Sequence, residues 1–416
     1  MEKTNAPGCR RGALRARTRV EPSHLSPGPM HKLTFHNLGN ADTTRVDLAN
    51  GRKMLVDYAD MRNADDPADL RCDLPEALRH DLRLAKRDDY DVVVFTHLDD
   101  DHIHGASKFF YFNHSPDFQS DDRVRIQQLW VPAAVLLEDD LTGDALAIQN
   151  EAWHRVKAAS GIRVFSSPGL LTSALARRRI NPASVKHLFV NAGEVVDTFS
   201  LEADGLEVFA HSPFATRSAQ GELLSRNADS IAFQAMFLDG GRTTRALFFA
   251  DITYDVIADI VAVTEFHGRR DAARYDRLRW NVVKVAHHSS YTAIGPEKGA
   301  SKTTPDPNIE RLLEGADPNG GTYGGAEGSG AIIVSTSKPI PANDDDPQPP
   351  HRQAAAYYRD ATDTHHGAFK VTMEHPSVSR PRPLVVKIDG FGATVEKTTT
   401  GGVGPFDTSA PRAGRR

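Results

Sequence analysis

The chain has 416 residues, 25% of them charged and 39% hydrophobic, with a formal net charge of −5. That length can bury a large core in one big domain or in two to three small ones. So modest a charge gives no global attraction to nucleic acid, which leaves only a local basic groove for such a role. Two cysteines, Cys9 and Cys72, exclude a disulfide framework and a cysteine zinc site, which fits a reducing cytoplasm. No apolar run approaches the length needed to span a membrane.

Residues 1–30 are rich in Arg, Pro and Ser, with Arg10, Arg11, Arg15, Arg17 and Arg19 close together. They lack the apolar segment of a secretory signal and read as a solvated, disordered tail. Met30, just before the first core strand, reads as an alternative start. Residues 32–35, 43–48 and 53–56 read as successive strands, the last two joined by Asn50-Gly51 in a type I′ turn. Asp57 ends the third strand and, taken alone, is a turn residue. Residues 60–90 are polar and helix-compatible, with Leu70, Leu74, Leu78 and Leu82 at a helical repeat of four.

The continuous apolar run Val92-Val93-Val94-Phe95 predicts a buried strand. It leads into Thr96-His97-Leu98-Asp99-Asp100-Asp101-His102-Ile103-His104-Gly105. Imidazole and carboxylate side chains clustered at a strand end suit Zn²⁺, Mn²⁺ or Fe. So many carboxylates beside an apolar strand repel one another and lose hydration, and a bound cation removes most of that cost. The plainer alternative is a polar loop with incidental histidines.

This stretch resembles the His-x-His-x-Asp-His signature of the metallo-β-lactamase superfamily, with Asp99 in place of the second His. That variant, followed by Ile-x-Gly, is similar to the hydrolase domain of the DNA-uptake competence (ComEC/Rec2-type) proteins. The resemblance runs from about residue 33 to about residue 395. It implies an α/β fold, an αββα sandwich of two facing mixed β-sheets flanked by helices, in one hydrolase domain over residues 31–396. With no membrane-spanning run, it implies a soluble counterpart without the competence proteins' channel. It also places Asp57 beneath a metal site. Residues 35–42 look like the family's glycine-containing first turn, with Ala41 where a second glycine is usual.

Further along, residues 126–131 predict a strand. Residues 148–158 predict a helix with Trp153 and Val156 in the core and His154 on the surface. Residues 206–210 open a second strand-rich half. Asn227-Ala228-Asp229-Ser230 leads into a strand over 231–238, Asp239-Gly240-Gly241 turns it, and 245–250 return. Asp251 ends that return; by the resemblance it matches the carboxylate that bridges two metals, and capping a helix over 253–265 is compatible with that role. Residues 280–286 predict a buried strand ending in His287-His288-Ser289-Ser290, where Ser289 replaces the family's glycine. Neighbouring strand residues point to opposite faces, so one histidine is expected on metal and the other on substrate or a supporting group. The sequence does not decide which. Residues 296–330 read as a long loop over the site and 331–334 as a strand. Pro350-His351 opens a helix through Tyr358, and 384–388 and 393–395 are closing strands. Residues 397–416 are a Gly/Thr/Pro tail.

The resemblance thus implies two divalent metal ions, zinc or manganese. His97 and Asp99 would hold the first. Asp101, His102 and one of His287 and His288 would hold the second, with Asp251 between them. Asp101, His288 and Ser290 are the candidate catalytic residues. Two such cations acidify a shared water and neutralise charge building on a phosphoryl or carbonyl oxygen. The superfamily's third motif usually adds a histidine about twenty residues before the bridging carboxylate, but that register holds Arg226 and Asn227. His211 lies too far upstream to match cleanly, so His211 and Asn227 stay open for that place. Asp99 and the missing histidine shift preference from zinc toward harder ions such as Mn²⁺ or Mg²⁺. The expected activity is a phosphodiesterase, with nucleic acid or another phosphodiester as substrate and no membrane partner. Lys284, Arg226, Ser289, Ser290 and Thr292 are candidate phosphate contacts. The alternatives are hydrolysis of a small ester, lactone, lactam or thioester, and a metal-bound scaffold without turnover.

Overall fold

The computed structural model describes residues 30–215, 225–315, 325–326 and 330–397. Of the two stretches read as tails, residues 1–29 and 398–416 lie outside these. Two mixed sheets face one another. The nine strands of the first run, in spatial order, Gly392–Val395, Leu384–Asp389, His31–Phe35, Thr44–Asp47, Lys53–Val56, Asp89–Val94, Arg125–Pro132, Ile162–Phe165 and Phe189–Val190. The seven of the second run Ala368–Val371, Ile332–Ser335, Val282–Lys284, Arg242–Phe248, Ala232–Asp239, Leu206–Ser212 and Val195–Val196. Each sheet is antiparallel on one side and parallel on the other: parallel pairing begins at Lys53–Val56 with Asp89–Val94 in the first, and at Arg242–Phe248 with Val282–Lys284 in the second.

Strand alternation explains the layers. Val92 and Val94 point between the sheets and meet Phe233, Phe248, Val282 and Val334 from the opposite sheet. Val93 and Phe95 point outward, to a core shared with the helices Leu74–Ala85, Ala133–Leu137, Gly143–Lys157 and Gly169–Arg177. A parallel strand covered on both faces has no solvent side, so it reads as an unbroken apolar run rather than an alternating one. The second sheet's outer face packs under the helices Tyr254–Gly268, Pro307–Glu314 and Arg352–Thr364. The result is the expected αββα sandwich. No helix among the described residues is long and apolar enough to cross a membrane.

Several local expectations change. Of Asn50 and Gly51 only Gly51 takes a positive φ, 88°. Leu48 N–H donates to Arg52 O and Gly51 N–H to Leu48 O, so a three-residue loop with a bulge replaces the type I′ turn. Leu70 is exposed and precedes the helix, which starts at Leu74 because Asp73 caps it by accepting from Glu76 N–H. The strand expected over 280–286 is two: Arg279–Trp280 pairs with Gly325–Ala326, and Asn281 leaves the ladder to accept from Arg245 N–H. The long loop expected over 296–330 contains the helix Pro307–Glu314, capped by Asp306. Asp251 is not a helix cap; Thr253 stands at that position. His154 is exposed, while Trp153 and Val156 are buried in the core, as expected.

Candidate metal centre

The functional side chains gather where parallel strands end, the edge at which open α/β sheets bind ligands. Asp57 follows Lys53–Val56, and residues 97–102 follow Asp89–Val94. Asp251 follows Arg242–Phe248, His288 follows Val282–Lys284, and Thr336 follows Ile332–Ser335. Among the described residues Asp42, His102, Asp251 and His288 each offer a ligand atom within 4.8 Å of the others. All four are buried. The first two come from the first sheet's loops and the other two from the second's.

Each imidazole is held from behind. His102 Nδ1 lies 2.8 Å from Asp57 Oδ2, and His288 Nδ1 lies 2.7 Å from the Thr336 carbonyl. Both acceptors require a proton on Nδ1, which leaves Nε2 as a lone pair aimed at the cluster. His102 Nε2 stands 3.2 Å from Asp251 Oδ1 and 3.6 Å from Asp42 Oδ2, and His288 Nε2 stands 3.6 Å from Asp251 Oδ2. Asp57 is fixed in turn by Thr96, whose N–H donates at 2.7 Å and whose hydroxyl donates at 2.8 Å. Asp57 adopts φ 58° and Ala250, just before Asp251, φ 45°. Such left-handed residues are uncommon outside glycine and turn the chain sharply at both strand ends.

The electrostatics favour a cation here. Burial alone lowers the basicity of His102, but the Asp251 and Asp57 carboxylates outweigh it and raise its pKa well above the usual histidine value. His288 is raised in the same way, burial being outweighed by Asp251 and Asp101. Burial raises the Asp251 carboxyl, yet His102 and His288 pull it well below the usual range. The raised histidines say that positive charge is wanted between these groups. The buried polar atoms here without a hydrogen-bond partner include His102 Nε2, His97 Nε2, Asp42 Oδ1 and Asp251 Oδ1. Buried polar atoms are seldom left so. A divalent ion with imidazole and carboxylate ligands fits this donor set.

The expected site residues fare differently. His102, Asp251 and His288 come together in the cluster. Asp101 lies beside it, Oδ2 3.1 Å from His288 Nε2, and stays about a third exposed at 32%. His97 is buried against His102, with ring centroids 4.0 Å apart. Asp99 is not in the cluster: its Oδ1 accepts from Arg226 Nη1 at 2.9 Å, and its Oδ2 stands 3.5 Å from His97 Nε2. His287 and His288 do not alternate across a strand. The strand stops at Lys284, and His287, His288 and Ser289 follow in a left-handed run with φ of 49°, 51° and 63°. That run turns His288 inward and leaves His287 at 28% exposure, its Nε2 4.0 Å from Asp251 Oδ2.

Ser290 is buried, and its hydroxyl meets Thr292 Oγ1 at 2.8 Å, while Ser289 donates to Ser335. These hydroxyls brace the turn rather than standing free for phosphate. Lys284 is buried too, and its ammonium donates to Asp42 and to the Ala250 carbonyl. His211 points elsewhere: burial pushes its pKa down to about 4, its ring stands 3.1 Å from the Arg277 carbonyl, and it lines a cavity of about 290 Å³ with Phe209, Phe214 and His267. Asn227 is half-buried, and its Oδ1 has no hydrogen-bond partner. Asp42 was missed. It reads as one more polar residue after a turn, and the one available signal was Lys284, since a lysine in an apolar strand needs a buried partner.

No family model matches the chain, and no curated protein matches it. Solved structures do. Unliganded yeast PDE1 is similar at 10% identity over 82% of this chain and 97% of that one, with a TM-score of 0.41. MEM-A1, a subclass B3 metallo-β-lactamase from a soil metagenome library, is similar at 12% identity over 64% and 80%, with a TM-score of 0.28. A diphosphatase from the PhnP family is similar at 12% identity over 59% of each chain, with a TM-score of 0.21.

Proposed function

We propose that this protein is a metal-dependent hydrolase acting on a phosphodiester. The observation that carries the reading is the buried group of Asp42, His102, Asp251 and His288 with its unpartnered ligand atoms. A divalent ion bound there would be held by His102, His288 and Asp251, with Asp42 or Asp101 completing the set. It would supply Lewis acidity and lower the pKa of a coordinated water.

The chain's own residues do the rest. Asp57 and the Thr336 carbonyl keep both imidazoles in the ligating tautomer. Asp101 directs Oδ2 at His288 and, being partly exposed, can take a proton from an attacking water through its other oxygen. His287 stands beside Asp251 at the open side, where burial holds its pKa below the usual histidine value. A neutral imidazole there can hydrogen-bond a substrate oxygen without repelling the bound cation. Arg226, 37% exposed, adds positive charge beside Asp99, which suits a transition state richer in negative charge than that of an ester or lactam.

The test is a metal-resolved screen of the full chain. It offers bis-p-nitrophenyl phosphate, labelled single- and double-stranded DNA and RNA, and nitrocefin, a lactone and a thioester, each with Zn²⁺ and with Mn²⁺. Phosphodiester cleavage that disappears with chelator and with Asp251→Ala is expected. Cleavage confined to the lactone, thioester or nitrocefin would refute the phosphodiester assignment. Metal uptake without any turnover would leave only a scaffold.

A further inference from the structure

Arg226 stands in the register where the resembled pattern places a third histidine. Its guanidinium does three things at once. Nη1 donates to Asp99 Oδ1 at 2.9 Å and to the Leu98 carbonyl at 3.1 Å, and Nε donates to Glu138 Oε1 at 2.8 Å, with Nη2 on that same oxygen. A planar, permanently charged fork held at three acceptors on two loops is a fixed cation. It sits on Asp99, one of the two side chains expected to hold the first metal. With Asp99 Oδ1 held in this way, His97 Nε2 is the unpartnered ligand atom of the signature loop on that side, and catalytic sites ordinarily offer three protein ligands to an ion.

The permanent cations around the centre are already engaged by carboxylates. Lys284 answers Asp42, and Arg226 is shared between Asp99 and Glu138. Asp57 is satisfied by Thr96 and His102. Asp101 and Asp251 are left facing His102 and His288 without a permanent cation of their own.

Resting on the metal-dependent reading above, we infer that the centre binds a single divalent ion, on the His102–Asp251–His288 side, and that the Arg226 guanidinium takes the place of a second. The side next to His97 is then an arginine-lined anion pocket. Four of the five guanidinium N–H groups have acceptors; the fifth, on Nη2, has none among the described residues and is open to a substrate oxyanion.

The experiment measures metal content by elemental analysis after equilibration with excess Mn²⁺ and gel filtration, together with electron paramagnetic resonance of the bound Mn²⁺. Wild-type protein is expected to hold one ion per chain with an uncoupled Mn²⁺ spectrum. Arg226→His restores a neutral ligand at that register and removes the cation. It is expected to raise the content to two ions and to give the exchange-coupled spectrum of neighbouring Mn²⁺ ions. Arg226→Lys, which keeps the charge, is expected to stay at one. Two coupled ions in the wild type would overturn the inference while leaving the metal-dependent reading standing. No ion in the wild type would remove that reading itself. One ion in a folded Arg226→His protein would show that the guanidinium is not what excludes the second, and would overturn its assigned role. The wild-type measurement decides the count even if the histidine variant does not fold.

Discussion

Asp57→Asn tests the outer support of a metal-ligating histidine. Asp57 accepts three hydrogen bonds, from Thr96 N–H to Oδ1, and from the Thr96 hydroxyl and His102 Nδ1 to Oδ2. Asparagine has the same shape and tolerates the left-handed backbone at φ 58°. The Thr96 N–H at 2.7 Å can be met only by the amide oxygen, so the NH₂ group must take the Oδ2 position. There it is a donor facing His102 Nδ1 at 2.8 Å. The imidazole answers by moving its proton to Nε2, the atom that faces Asp251, and a protonated Nε2 cannot ligate. Removing an outer partner of a ligating histidine costs roughly ten- to a hundredfold in metal affinity, or about 1.4–2.8 kcal/mol. The fold should lose about 1.5–3 kcal/mol in the metal-free state, since a hydrogen bond to a buried carboxylate is replaced by a neutral one. The assay is competition for Zn²⁺ against a chromophoric chelator, run beside urea unfolding of the metal-free protein. Affinity within twofold of wild type, with unchanged urea stability, would show that Asp57 does not set the tautomer.

His288→Ala should lose the bound ion and nearly all turnover, whereas His287→Ala should keep the ion and lose mainly rate; equal metal content in the two variants would contradict the assignment. Lys284→Met leaves Asp42 buried beside Asp251 without its ammonium, and should destabilise the metal-free protein by about 3–5 kcal/mol in denaturant unfolding; a change under 1 kcal/mol would mean the pair is dispensable. The helix Gly143–Lys157 offers a pH test away from the centre. Burial raises the Glu151 carboxyl, but Arg155 at 2.7 Å, Asn113 and the His114 N–H outweigh it, so its net shift is downward. A lowered folded pKa contributes stability above the unfolded value of about 4.3 and loses it as pH falls through the folded value. Glu151→Gln should therefore be less stable than wild type at neutral pH and show a flatter decline in acid, read from urea midpoints across pH; parallel pH profiles would refute it.

Most of the sandwich was legible because its strands obey simple rules. The run Val92–Phe95 has no polar residue since both faces are covered, and residues 32–35, 206–210 and 384–388 lie within or beside observed strands of the same register. Histidine and aspartate at strand ends marked His102, Asp251 and the 287–288 pair because charged groups rarely follow buried strands without a ligand to hold. What stayed hidden depends on pairs distant in sequence. Asp42 and Lys284 are 242 residues apart, and nothing local says that they meet. The same holds for Arg226 and Asp99, 127 residues apart: a basic residue in a ligand's register reads as a gap in the motif until its guanidinium is seen on the carboxylate. Strand alternation failed at His287 and His288 because three consecutive left-handed residues replace the pleat there, and no glycine announces them.

The centre draws its donors from loops of both sheets, Asp42 and His102 on one side, Asp251 and His288 on the other. An ion held across that seam binds the folded chain and not the unfolded one, so its affinity adds directly to conformational stability. At a free concentration a thousand times its dissociation constant that contribution is about 4 kcal/mol, a large share of what keeps an ordinary domain folded. Metal supply would then govern how long the protein survives as well as how fast it works. Starved of its ion, the chain would open along the seam more often and be cleared by proteases, and its abundance would report on the metal available where it is made.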